Sequence, residues 1–105
     1  MIDKIKIPQT LKVGGRSLLV KFTKNLLRDT GNRGEVEWHT ETMRIDSDMV
    51  YTLTVITFLH EIVHCIDEVY CNRNLSEDET NQLAEGLYQV FDGMGIKFKW
   101  EGKND

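Results

Sequence analysis

His60 and His64 lie four residues apart in the run His60-Glu61-Ile62-Val63-His64. On a helix that spacing stacks two imidazoles on one face, a turn apart. Two neutral imidazoles so placed can take two corners of a tetrahedral zinc site. Glu61 follows His60 by one residue and is rotated by about 100°, which makes it unsuited to the same ion. Its carboxylate fits a different role, reaching a water on the metal, taking a proton from it and passing that proton to a leaving amine. The plainer alternative is a histidine pair that only packs or caps. Phe58 and Leu59 before the pair, and Ile62 and Val63 within it, argue against that, because buried imidazoles without partners are costly. The chemistry expected is metal-assisted hydrolysis, with Zn2+ as cofactor.

A catalytic zinc takes a third protein ligand and keeps one position open. The acidic candidates are Glu77, Asp78, Glu79 and Glu85 on a second helix. Glu85 falls nearly opposite the inner face of that helix. Glu79 forms a capping box with Ser76, in which each side chain satisfies the other's backbone N–H. Glu77 shares a 3-4-3-4 stripe with Thr80, Ala84, Leu87 and Phe91, and the small Ala84 permits close helix approach. The stripe favours Glu77 as the ligand, against the simpler role of a first-turn carboxylate favoured by the helix dipole. Asp67, one turn beyond His64, is either an acceptor that orients an imidazole or a solvated residue. Thr57 is a weaker candidate for the same orienting job. His39, Tyr51 and Tyr88 could each stabilise an oxyanion by residue type, and sequence does not choose among them.

These residues need elements to hold them. Leu11 and Val13, then Leu18, Val20 and Phe22, alternate on either side of Gly14-Gly15, a tight-hairpin signal. The polar segment from Asp29 to Gly34 is expected as a loop. Glu35–Trp38 and Met43–Asp46 form a second alternating pair, joined by residues 39–42. From about Thr52 to Tyr70 the period becomes helical, with Leu53, Ile56, Leu59, Val63, Ile66 and Tyr70 at 3-4 spacing and Phe58, Ile62 and Val69 on the flanks, so a largely buried helix is expected. After the polar break Asn72-Arg73-Asn74, the second helix starts at Ser76. Thr80, Leu83, Ala84, Leu87, Val90 and Phe91 form its inner face, and Gly93 is a natural C-cap. Ile96–Trp100 is a final strand or an ordered tail. The fold class expected is α+β: a small antiparallel sheet packed against the histidine-bearing helix and a second, glutamate-bearing helix.

Composition fits that reading. The chain has 105 residues, 40% of them hydrophobic and 29% charged, enough for a single domain over 1–105 and one modest core. Net charge is −4, and the lysines and arginines are scattered along the sequence, which argues against a nucleic-acid or anionic-membrane partner. No apolar run approaches the roughly 20 residues that span a bilayer. Met1 to Lys6 lacks the apolar region of a secretory leader, so a cytoplasmic protein is the default expectation. Cys65 and Cys71 sit about 9 Å apart along one helix, too far for a disulfide, and are expected as reduced thiols.

With these motifs in place, the chain resembles the ImmA/IrrE-type zincin metallopeptidases. Leu59-His60-Glu61-Ile62-Val63-His64 followed by Glu77-Asp78-Glu79-Thr80-Asn81-Gln82-Leu83-Ala84 is similar to that family's active helix and its second helix of pattern Glu-x-x-Ala-Asn-x-Phe-Ala. Thr80 stands where the family has Ala, and Leu83 where it has Phe. The segment from Leu75 to Gln89 also resembles short phage and prophage proteins of this group. The resemblance implies that His60, His64 and Glu77 hold zinc and that Glu61 is the base. It covers about residues 50 to 94.

Three hypotheses follow. The first is a peptidase acting on a peptide or flexible protein segment, which pairs with the edge of the 35–46 hairpin so that Trp38 and Met43 line the cleft. The second is a non-catalytic, zinc-stabilised binding or regulatory module of phage type. A closed site with four protein ligands would mark the second. The third is a hydrolase of a non-peptide amide, which sequence does not separate from the first. Substrate preference and oligomeric state are not legible in the sequence.

Overall fold

Gly14 takes φ 62°, a left-handed value that glycine adopts without strain, and it turns Thr10–Val13 (β2) back on Arg16–Thr23 (β3). The two strands pair antiparallel, Val13 opposite Arg16 and Leu11 opposite Leu18. The first hairpin therefore forms as its alternation and glycines dictate. A Cβ at Gly14 would also lie 2.7 Å from Val69 Cγ1, so the turn doubles as a packing surface for the long helix. In the computed structural model residues 3–103 are described, and Met1 and Ile2, the first residues of the segment expected to be no leader, lie outside them.

The second hairpin joins Gly34–Glu37 (β4) antiparallel to Thr42–Asp46 (β5), through a turn in which Glu41 takes φ 49°. β5 then lies parallel to β3, with Val20 opposite Met43 and Phe22 opposite Ile45. The four-stranded sheet runs β2-β3-β5-β4. It is mixed rather than wholly antiparallel, because the two hairpins dock side by side through strands of the same direction. Between them Leu26–Thr30 forms a short helix, α1, whose last two residues fall in the segment expected to be loop. It ends at Gly31, φ 81°, whose N–H donates to the Leu27 carbonyl. Buried Asp46 ties it down: one carboxylate oxygen accepts the Leu27 N–H at 2.8 Å, the other the Asp48 N–H at 2.8 Å.

Tyr51–Tyr70 (α2) lies against the sheet, and Glu77–Gly93 (α3) packs against α2. Of the row expected on α2, Leu59 and Val63 are buried and Ile56 is half-buried, but its two ends are not. Val55, Phe58, Leu59, Val63 and Cys65 are buried, whereas Leu53 and Ile66 are 39% and 42% exposed and Tyr70 is exposed. On α3, Thr80 and Ala84 are fully buried as the stripe requires, while Leu83 and Val90 face outward. Leu18, Met43, Ile45 and Val55 form the fully buried centre between sheet and α2, where truncation of Met43 to alanine would cost about 2–5 kcal/mol.

Gly93 is the last helical residue rather than the cap; Met94 caps the helix, and Gly95, φ 78°, makes the left-handed exit. Ile96–Trp100 is a strand, β6, which pairs parallel with Asp3–Ile7 (β1) in a separate two-stranded sheet. β1 carried no sequence signal of its own, because its partner is at the other end of the chain. Trp100 fills the space between this sheet and the core, with Phe22 and Phe58 edge-on at centroid distances of 5.7 and 5.6 Å. No helix among the described residues is long and apolar enough to cross a membrane.

Candidate metal centre

The helix pair decides the geometry. His60 and His64 sit a turn apart on α2, their rings edge to face at 4.5 Å. The two Nε2 atoms are 2.9 Å apart. Glu77 opens α3 and reaches across, its Oε1 2.9 Å from His60 Nε2 and its Oε2 3.3 Å from His64 Nε2. All three sequence-expected ligands meet, with one donor atom of each within 4.8 Å of the others. Tetrahedral ligands of zinc at about 2.0–2.1 Å lie about 3.3 Å from one another, close to this spacing. At 2.9 Å one Nε2 can donate to the other, and in the tautomer that leaves both unprotonated the two lone pairs and the Glu77 carboxylate converge. The group could hold a metal ion. The His64 and Glu77 side chains are 37% and 65% exposed, which leaves a path from solvent.

Ser76 and Asp67 fix where Glu77 starts. Ser76 Oγ accepts the Glu79 N–H at 3.0 Å, and Glu79 Oε1 accepts the Ser76 N–H at 2.8 Å, so the capping box is complete. These bonds hold the Glu79 carboxyl below its ordinary range. Asp67 is buried and serves neither role expected of it. Its Oδ1 accepts the Asn74 N–H at 2.9 Å and both carboxylate oxygens lie 3.3 Å from the Leu75 nitrogen, while its carbonyl accepts from Cys71 and Arg73. Asn72 and Arg73 take φ 55° and 56°. Asp67 thus clasps a sharp turn between the helices and sets the span from the histidine pair to Glu77.

Glu61 is 7% exposed and lies between α2 and β4. Burial, then the charges of Glu77 and Glu35, push its carboxyl up from 4.5 to about 7 in the metal-free chain. A nearby divalent cation would act in the opposite direction. Behind it, burial and the Glu61 and Glu68 carboxylates push the Cys65 thiol up to about 12. Cys65 is a packed thiol and Cys71 is exposed and free, as their spacing required.

A cavity of about 780 Å³ opens over His60, Glu61, His64 and Glu77, walled by Leu27, Arg33, Leu53 and Ile56 among others. A second cavity of about 340 Å³ shares Glu61 and His64 and continues to Val36, Trp38 and Leu75. Gly34 lines the first and Val36 the second, so the edge strand β4 runs along both. Trp38 lines the cleft as expected. Met43 does not: β5 is an inner strand and Met43 is fully buried on the core face. Thr57 lines the larger cavity, but its hydroxyl donates to Met49 Sδ at 3.9 Å rather than to either imidazole, and its methyl group packs against Gly34. The three oxyanion candidates line neither cavity. His39 is exposed in the hairpin turn, Tyr88 Oη lies 3.5 Å from Thr52 Oγ1, and Tyr51 Oη accepts the Phe98 N–H at 2.8 Å. Arg33 and Asn81 also line the larger cavity; Asn81 stood in the second-helix motif without a role of its own, and Arg33, a lone arginine in a loop, carries no spacing signal.

The chain matches no protein-family model, no curated protein and no solved structure.

Proposed function

We propose that this protein is a zinc-dependent metallopeptidase of the zincin type, related to the ImmA/IrrE-like enzymes and to their short phage counterparts. The observation that supports it best is a buried carboxylate, Glu61, set beside three convergent donors, His60, His64 and Glu77, at the floor of a cleft. Zinc held by those three side chains would polarise a scissile carbonyl and acidify water.

The chain's own residues supply the rest. Glu61 accepts the proton of the attacking water and delivers it to the leaving amine, a role its burial suits by keeping the carboxylate basic. An extended peptide adds alongside the free edge of β4, where backbone hydrogen bonds fix its register. Leu27, Leu53 and Ile56 offer an apolar wall on one side of the metal, and Val36, Trp38 and Leu75 on the other. Asn32, Arg33 and Asn81, which line the larger cavity, are the donors on hand for a substrate carbonyl.

The test pairs metal content with turnover. Purified protein should carry about one zinc, His64→Ala and Glu77→Ala should lose it, and Glu61→Gln should keep it while losing hydrolysis of an unstructured protein substrate. Metal content unchanged in both ligand variants would overturn the site. Full turnover in Glu61→Gln would overturn the mechanism.

A further inference from the structure

The parallel register of β1 and β6 places Lys4 beside Lys97 and Lys6 beside Lys99. Neighbours in register point to the same side of a sheet, as do residues two apart in a strand. All four lysine side chains therefore leave the same face of the two-stranded sheet, while Ile7 and Trp100 are buried in the core. With Lys103 they make five of the chain's 13 lysines and arginines, in a protein of net charge −4. Like charges on adjacent strands repel, so this concentration opposes folding.

Lys4, Lys97, Lys99 and Lys103 also line a cavity of about 310 Å³, whose wall includes Tyr51 and Trp100. Two of the four are held in place. Lys97 Nζ lies 3.0 Å from Asp92 Oδ1 and 5.4 Å from the Tyr51 ring centre, and Lys103 Nζ lies 5.9 Å from that of Phe22. Asp92 is the one carboxylate bonded to these lysines among the described residues. Trp100 is 5% exposed, and its indole N–H is buried with no hydrogen-bond partner among the described residues.

We propose that this cavity binds a phosphate monoester with a flat apolar body, its phosphate held by Lys4, Lys97, Lys99 and Lys103 and its body against Tyr51, whose ring centre lies 6.4 Å from that of the buried Trp100. A monoester carries about −1.5 to −2 charges at neutral pH and three acceptor oxygens. Lysines act on it as point charges, whereas planar bidentate reading would call for arginine. The volume suits one ring and one phosphate, at the small end of ligand sites. This site is separate from the histidine cleft and does not depend on zinc.

The test titrates phenyl phosphate into the full-length protein in EDTA, following the two indole N–H signals in a nitrogen–proton correlation spectrum. Trp38→Phe assigns them. Saturable movement of the Trp100 signal alone is expected, with phenol ineffective. Lys4→Gln/Lys99→Gln, both exposed positions, should weaken binding at least about tenfold through lost charge-assisted contacts. An unmoved Trp100 signal, or equal binding by the double variant with its spectrum otherwise intact, would overturn the proposal. Binding of oligothymidylate that strengthens with length, without phenyl phosphate binding, would overturn it in favour of a polyanion surface.

Discussion

Gly34 lies against Glu61 so closely that even a methyl group there would press on the Glu61 side chain. A Cβ at Gly34 would lie 3.1 Å from Glu61 Cγ, 3.3 Å from Glu61 Oε2 and 2.7 Å from Thr57 Cγ2. The missing side chain is what lets the edge strand β4 lie against the helix beside the proposed base. Gly34→Ala should therefore destabilise by about 1–3 kcal/mol through overpacking and displace Glu61. Hydrolysis should fall while zinc content is kept, since the atoms nearest a Gly34 Cβ belong to Thr57 and Glu61 and not to the three donors. Equal melting temperature and turnover in Gly34→Ala would refute this arrangement.

Asp67 offers a second test. Removing its carboxylate in Asp67→Ala leaves the Asn74 and Leu75 N–H groups without their acceptor. That should cost about 1–3 kcal/mol and loosen the turn that carries Glu77. The specific consequence is weaker metal binding, measured by competition with a chromophoric chelator. Asp67→Asn, which retains one acceptor oxygen, should recover part of the affinity. A stability loss with unchanged metal affinity would make Asp67 a fold residue only.

Metal should also stabilise the fold, because its three donors come from two helices. At free zinc 100 times the dissociation constant, linkage adds about 2.7 kcal/mol. Thermal melts with and without zinc should differ in the wild type and coincide in His60→Ala. Equal shifts in both would place the ion elsewhere.

The residues that meet at the centre were legible because their constraints are local. Helical spacing paired His60 with His64, and the Ser76–Glu79 capping box fixed the start of α3 and hence the phase of Glu77. Both hairpins were legible for the same reason, as alternation around turn residues. What sequence did not show depends on docking between distant segments. The parallel β3–β5 contact, the β1–β6 pair and the burial of Met43 each follow from strand partners that no local pattern names. The apolar row of α2 misled because Leu53 and Ile56 line the cleft instead of the core. Asp67 was misjudged because its partners lie in a turn whose left-handed residues, Asn72 and Arg73, have no glycine to announce them.

The ionisation of Glu61 gives a prediction with a definite sign. Its carboxyl is raised by burial first, then by Glu77 and Glu35, from 4.5 to about 7 in the metal-free protein. Between those values the folded chain holds a proton that the unfolded chain has released, so stability falls as pH rises through that window. Below about pH 4 both states are protonated and the penalty is absent. Glu61→Gln is neutral at every pH and removes the slope. In EDTA it should match the wild type near pH 4 and exceed it by up to about 3 kcal/mol at pH 8. Urea unfolding at the two pH values measures it. A gap of the same size at both would mean that Glu61 ionises as it does in the unfolded chain.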